Sequence, residues 1–173
     1  MGYTISKALA SDAEELSWLV NSAYRGDSSK QGWTTEADLL DGTRTTPELI
    51  DALLKSHETF ILKYVEDQAI RGCVDLKRTA TKLYLGMLTV KPSLQGKGIG
   101  KILLNEAESE ARKLDCRVIY MTVISVRKEL IDWYKRHGYS ETGERKPFEL
   151  PDERWGIPKT NLEFMVLEKV IAG

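Results

Sequence analysis

Apolar residues recur at helical spacing in four segments of the chain. In the longest segment Leu103, Ala107 and Ala111 fall on one stripe, while Glu108 and Arg112 lie one turn apart on the other side. An apolar stripe opposite charged residues predicts an amphipathic helix, and we expect Glu108 and Arg112 to pair on its exposed face. The predicted helices are 11–24, 46–57, 99–114 and 128–137.

Seven shorter segments are rich in β-branched and aromatic residues, which is typical of strands. The segment 82–90 is apolar on both faces, so we expect it in the centre of a sheet. The predicted strands are 3–8, 59–65, 69–78, 82–90, 117–123, 139–150 and 162–170. The resulting order, β-α-α-β-β-β-α-β-α-β-β, predicts an α/β fold with a mixed, mostly antiparallel sheet flanked by helices. No linker or repeat interrupts it, so residues 1–173 are expected to form a single domain.

Composition and charge narrow the function classes. Apolar residues make up 42% and charged residues 29% of the chain, which is typical of a globular protein rather than a disordered one. The net charge of -1 argues against a general nucleic-acid binder, which would show a basic excess. Two cysteines and two histidines favour neither a disulfide framework nor a metal site. The sequence shows no secretory signal and no long apolar run, so we expect a cytoplasmic protein that does not bind membranes.

The segment QGKGIGKILL, residues 95–104, places three glycines between a predicted strand and a predicted helix. A Walker loop is excluded because no Ser or Thr follows Gly100-Lys101, and the G-x-G-x-x-G spacing is broken at Leu103. A bare turn before a helix directs free N–H groups and the positive end of the helix dipole at one point, and Lys97 adds charge. The loop is therefore predicted to bind an anion such as a pyrophosphate. The alternative is that the glycines only form a tight turn.

Two motifs resemble those of the GNAT superfamily of N-acetyltransferases. The segment LTVKPSLQGKGIGKILL matches the pattern Val-x-Pro-x-x-Gln/Arg-x-x-Gly-x-Gly/Ala, and DWYKRHGY resembles the later motif, in which a Tyr precedes a Gly-aromatic pair. The resemblance implies a GNAT-like fold and acetyl-CoA as co-substrate, with the backbone of Leu88 and Val90 pairing with the pantetheine arm. The implied pyrophosphate-binding residues are Gln95, Gly96, Lys97, Gly98, Ile99, Gly100 and Lys101.

The resemblance also implies that Tyr134 is the catalytic acid. A phenol with a pKa of about 10 is protonated at neutral pH and can donate a proton to the departing thiolate of CoA. Tyr134 lies four residues after Leu130 and three after Ile131, so it is expected on the same inward-facing stripe of its helix. The alternative is that Tyr134 only packs.

The sequence leaves the general base open. Relatives often carry a Glu on the strand before the glycine loop, but Gly86 stands at about that place. Asp75, Glu141 and Glu163 are strand-borne alternatives, and a water relay is equally open. Many relatives also carry an Asn where this chain has Arg127, which could instead reach a phosphate.

The acceptor is expected to lie against the first helices and the last strands. Tyr24, Arg25 and Trp33 are predicted to bind it, since they belong to a polar and aromatic region in and before the predicted loop 25–35. An Arg could hold a substrate carboxylate, so the predicted acceptor is a small-molecule or amino-acid-like primary amine. The competing hypothesis is a catalytically silent acyl-CoA-binding module. The protein is expected to be a monomer or a homodimer and to need no metal.

Overall fold

The computed structural model describes residues 2–25, 32, 35–37, 39–41, 44–148, 157–159 and 162–171. The helices in this part of the chain are α1 (Ala13–Tyr24), α2 (Pro47–Lys55), α3 (Ile99–Lys113) and α4 (Lys128–Arg136). The strands are β1 (Tyr3–Lys7), β2 (Leu40–Asp41), β3 (Thr59–Glu66), β4 (Ala69–Thr79), β5 (Lys82–Val90), β6 (Val118–Ile124), β7 (Ser140–Pro147), β8 (Ile157–Pro158) and β9 (Glu163–Val170). Short 3-10 turns at Ala10–Asp12 and Pro92–Leu94 precede α1 and α3.

The described strands other than β2 and β8 form one sheet in the order β1-β3-β4-β5-β6-β9-β7. Its neighbouring strands run antiparallel except β5 and β6, which are parallel because α3 connects them in a crossover. The predicted α/β class, the element order and the central position of β5 are therefore confirmed. The two-residue strands β2 and β8, which pair with each other, were not predicted.

Helices cover both faces of the sheet and bury a core on each. One core packs α1 and α2 against the sheet and includes Leu16, Leu19, Val20, Ile50, Ile61 and Cys73. The other lies under α3 and α4 and includes Leu76, Leu83, Leu103, Leu104, Ile119 and Leu167. Among the described residues, no helix is both long and apolar enough to cross a membrane.

One surface prediction for α3 is wrong. Glu108 is only 7% exposed, and its carboxylate accepts a hydrogen bond of 3.0 Å from Lys169 Nζ on β9. The same ammonium donates to the carbonyl of His137 at 3.0 Å, just after α4 ends. Periodicity within α3 could not reveal this contact, because the partner strand lies 61 residues further along the chain.

Candidate active site

The parallel strands β5 and β6 separate part of the way along the sheet. They are paired only at residues 82–84 and 118–120. Beyond that point the register of β4 and β5 shifts, and Met87 adopts a positive φ of 50°. Such an irregularity bends a strand away from its neighbour. Two cavities open where the strands have separated, and both are lined by Leu88, Leu130 and Tyr134.

The glycine loop forms the mouth of the larger cavity, a cleft of about 600 Å³. Gly96 and Gly98 have φ of 84° and 89°, a left-handed conformation that side chains rarely tolerate. Apart from the neighbours of each glycine in the chain, no described residue has an atom within 4 Å of the position that a Cβ at either glycine would take. The backbone is therefore open to a close ligand, and α3 begins immediately afterwards at Ile99, where its first N–H groups lack helical partners.

Most of the predicted cofactor-binding residues line this cleft. They are Leu88, Val90, Gln95, Gly96, Gly98, Ile99, Gly100 and Lys101; the remaining one, Lys97, is not among the lining residues. The opposite wall comes from α4 and was missed apart from Tyr134. Its members are Glu129, Leu130, Asp132, Trp133, Arg136 and His137. Their spacing of three and four residues would have placed most of them on one helical face.

Tyr134 lies at the junction of the two cavities. It is 5% exposed and packs edge-on against Trp133 and Tyr139, with ring centroids 5.1 and 5.8 Å away. Burial raises the pKa of its phenol well above the usual value, so the hydroxyl keeps its proton at neutral pH. The side chain can therefore donate a proton at the point where the two cavities meet.

The second cavity, of about 170 Å³, is bounded by α1, the loop after it, β5, β6 and β9. Its charged lining residues, among those described, are Arg25, Glu36, Arg44 and Arg127. Apart from Thr122 and Gly86, the rest of the described lining is apolar or aromatic and includes Phe148 and Phe164, whose ring centroids are 4.9 Å apart. A cavity of this size suits a small ligand, since drug-sized ligands occupy about 300–1,000 Å³.

Two of the predicted acceptor-binding residues line this second cavity. The Tyr24 hydroxyl donates to the carbonyl of Leu88, which ties α1 to the bent part of β5. Arg25 Nε donates to Glu36 at 3.0 Å, and both side chains are buried. Trp33, the third, lies outside the described residues.

Arg127 also faces the second cavity rather than the glycine loop. Its Nη1 donates to Glu36 at 3.4 Å, and its guanidinium lies 5.7 Å from the centre of the Tyr24 ring. The structure therefore does not support the alternative that Arg127 reaches a phosphate, because Arg127 is not among the residues that line the glycine-loop cleft. Sequence alone could not show this, since Arg127 and Glu36 are 91 residues apart.

The three candidate bases differ sharply in position. Glu141 and Glu163 are exposed and form ion pairs of 2.8 Å with Lys135 and Arg145 respectively, and neither is among the described residues that line the cavities.

Asp75, in contrast, is 8% exposed, and its Oδ1 makes no hydrogen bond to any residue that the structure describes. It faces Gly86 across the β4–β5 ladder, and its Oδ2 lies 3.5 Å from the position a Gly86 Cβ would take. Gly86 itself lines the second cavity. Burial raises the pKa of Asp75 to about 6, and Arg44 partly opposes this rise. A carboxyl of this kind can exchange a proton near neutral pH.

No cluster of three or more potential metal-ligating side chains occurs among the described residues.

Comparison with known proteins assigns the fold and the family. The sequence profile of the acetyltransferase (GNAT) family matches residues 14–139. An acetyltransferase of Agrobacterium fabrum is 34% identical over 82 residues, which span 47% of this chain and 58% of that protein. The chain thus matches little more than half the length of this relative.

Solved structures share the fold at low identity. The ribosomal-protein-S18-alanine N-acetyltransferase of Escherichia coli superposes with a TM-score of 0.74 at 12% identity, covering 99% of this chain and 96% of that one. An acetyltransferase of Salmonella typhimurium, solved with acetyl-CoA, superposes with a TM-score of 0.72 at 19% identity. The match covers 99% of this chain and 95% of that one.

Proposed function

This chain belongs to the acetyltransferase (GNAT) family and is an acyltransferase, and from that premise we propose a donor and an acceptor. The donor is acetyl-CoA, and the acceptor is the primary amine of a small-molecule or amino-acid-like compound. The observation that carries this proposal is the meeting of a glycine-loop cleft and a small charged cavity at Leu88, Leu130 and Tyr134. A transferase needs two binding sites that converge on one reacting group.

The cleft supports acetyl-CoA as the donor. Its open loop at Gly96 and Gly98, followed by the N-terminus of α3, can accept the pyrophosphate through backbone N–H groups. Beyond Tyr84 the edge of β5 is no longer paired with β6. Side chains already bond two carbonyls of this part of β5, since Leu88 accepts from the Tyr24 hydroxyl and Val90 accepts from Gln95 Nε2 at 3.1 Å. The remaining hydrogen-bonding capacity of the strand can hold the pantetheine arm in the way an added strand would.

The chemistry of acetyl transfer assigns a role to Tyr134 and to Asp75. Acetyl-CoA supplies the acetyl group as a thioester, and the attacking amine must lose a proton while the sulfur gains one. Tyr134, protonated and buried beside both cavities, donates the proton that the leaving sulfur needs. Asp75, whose Oδ2 lies 3.5 Å from the Cβ position of Gly86, takes the proton of the amine through a bridging water. The Tyr84 ring, which also lines the cavity, lies 2.9 Å from the same position and borders this path.

The test is a thiol-release assay with acetyl-CoA and a panel of primary amines, accompanied by mass spectrometry of the acetylated product. We expect saturable turnover with at least one small amine. We expect no turnover with an unstructured basic peptide whose net charge equals that of the amine. CoA binding by calorimetry is the control for an intact donor site. Tight CoA binding without turnover of any amine would instead support a silent acyl-CoA-binding module.

A further inference from the structure

Among the described residues that line the second cavity, positive charges outnumber negative ones. Glu36 accepts hydrogen bonds from both Arg25 and Arg127, at 3.0 and 3.4 Å. Arg44 is a third arginine on the same wall. The described lining residues therefore carry three guanidinium groups and one carboxylate, and a partly enclosed excess of positive charge favours an anionic ligand.

Arg44 is the guanidinium that this arrangement leaves available. Among the described residues no carboxylate forms an ion pair with it, and its guanidinium carbon lies 5.8 Å from the centre of the Tyr24 ring. Its charge acts on Asp75 without an ion pair, by partly opposing the rise in the pKa of that carboxyl, and Asp75 does not line the cavity. The Arg44 side chain is thus free to form the paired hydrogen bonds that guanidinium makes with carboxylates.

The backbone at Arg44 is held in place by α1. Asn21 Oδ1 accepts hydrogen bonds from the N–H groups of Arg44 and Thr45, at 2.6 and 3.1 Å. Asn21 Nδ2 donates to the carbonyl of Thr45 at 2.9 Å. The side chain therefore extends from a fixed anchor, which reduces the ordering cost of binding.

We propose that the acceptor carries a carboxylate close to its amine and that Arg44 binds this carboxylate in the second cavity. This inference rests on the proposed function, since it takes the second cavity to be the acceptor site. Phe148 and Phe164 leave an apolar wall for the remainder of the acceptor. The expected class is a free amino acid or close analogue, rather than a polyamine or another amine without an acid.

The experiment compares amino acids with their carboxamides as acceptors, each pair matched in size. The carboxamide has the less basic amine, so chemistry without carboxylate recognition would favour it. We expect kcat/KM to be at least tenfold higher for the acid, and spermidine to be a poor acceptor. The second arm is Arg44→Gln, which we expect to raise KM for the amino acid roughly 10- to 100-fold while leaving the carboxamide almost unaffected.

Three controls make the result specific. Arg44→Lys keeps the charge but not the planar fork and should recover part of the lost affinity. Arg78→Gln removes an exposed arginine of β4, and it should change kcat/KM for neither the amino acid nor the carboxamide. CoA affinity of every variant should equal that of the wild type, which also shows that each has folded.

The outcomes separate the two proposals. If carboxamides are acetylated as well as the acids, or if Arg44→Gln leaves KM for the acid unchanged, the carboxylate inference is overturned and the acetyltransferase proposal stands. If CoA binds but no acid, amide or polyamine is acetylated, the proposed function fails and this inference fails with it.

Discussion

Tyr134 shows how tertiary structure changes the chemistry of a single residue. Burial raises the pKa of the Tyr134 phenol, so its hydroxyl stays protonated at neutral pH. The residue also lines both cavities, so it lies within reach of whatever occupies them. Its proposed role as an acid depends on both facts.

Replacing Tyr134 by Phe tests this role. The ring and its packing remain, and only the proton donor is lost. We expect kcat to fall roughly 10- to 1000-fold, because water can partly substitute for a lost general acid. Affinity for acetyl-CoA should change by less than about 1 kcal/mol, the value of one neutral hydrogen bond. Stopped-flow transfer rates normalised to folded protein measure the effect; an unchanged chemical step would assign Tyr134 to packing alone.

Ionisation of Asp75 should make activity rise and stability fall as the pH increases. The raised pKa of about 6 means that the carboxyl is neutral below that pH and charged above it. If Asp75 is the base, kcat/KM rises with pH through about 6, and Asp75→Asn removes this rise and lowers kcat/KM roughly 100-fold at pH 7.5. Retention of the rise in the variant would exclude Asp75 as the base.

The stability prediction for the same variant follows from proton linkage. The native carboxyl holds its proton to a higher pH than the unfolded one, so its contribution to stability is fully present below about pH 4. It is lost as pH rises through about 6. Because Asn is never charged, we expect Asp75→Asn to be more stable than the wild type at pH 7.5, by up to about 3 kcal/mol. This difference should shrink towards pH 4 in urea titrations.

At the scale of elements, the strand–loop–helix unit of β5, the glycine loop and α3 forms the proposed donor site. Gly98 ends the loop with a φ of 89°, and its Cβ position is empty. Both properties serve a ligand that contacts the backbone, since a side chain there would be strained and would occupy the space of that ligand.

Gly98→Val should weaken CoA binding at least tenfold, which is about 1.4 kcal/mol, by obstructing the approach to the loop. Gly143 provides a matched control because it has a φ of 87° and an equally empty Cβ position, but lies on β7 away from the cleft. Gly143→Val should suffer the same backbone strain while binding CoA normally. Equal calorimetric affinities for the two folded variants would contradict the proposed anion site.

Outside the candidate active site, one side chain of β9 connects α3 and the end of α4. Lys169 of β9 bonds Glu108 of α3 and the carbonyl of His137 at the end of α4. Lys169→Met leaves the Glu108 carboxylate buried without this partner, so we expect the free energy of unfolding to fall by about 1–3 kcal/mol. Lys135→Met removes a comparable pair with Glu141 that is exposed, and should cost less than about 1 kcal/mol. Equal losses in urea unfolding would show that burial of Glu108 is unimportant.

For the whole molecule, the separation of β5 and β6 is the decisive feature. It creates one opening on the glycine-loop side and one on the side of α1, and both reach Leu88, Leu130 and Tyr134. Donor and acceptor can therefore enter separately and meet at a buried point, which also limits access of water. The single domain over 1–173 and the cytoplasmic location stay predictions.

The oligomeric state also stays a prediction. We expect sedimentation to give a monomer or a homodimer, because large exposed apolar residues are few among those described. Trp18, Leu49 and Val170, for example, lie on different elements, namely α1, α2 and β9. A stable tetramer or larger species across a range of protein concentrations would show this prediction to be wrong.

The sequence by itself determined the class of the fold, the order of its elements and the glycine loop. These features depend on local rules: helical and strand periods, and the glycines needed for a left-handed turn before α3. One wall of the proposed donor cleft consists of residues between Leu88 and Lys101, so a contiguous motif was enough to find most of that wall. The opposite wall on α4 was missed apart from Tyr134.

Only the tertiary structure decided the second cavity, which is the proposed acceptor site. Arg127 meets Glu36, which is 91 residues away in the sequence, Asp75 lies beside Gly86 on the neighbouring strand, and Arg44 reaches the Tyr24 ring. The same holds for Glu108, whose apparent surface position in α3 is covered by β9. Such contacts depend on how the chain crosses the sheet, and the pKa values of Tyr134 and Asp75 depend on the burial that results. Local periodicity carries no information about these contacts or these pKa values, because it describes one element at a time.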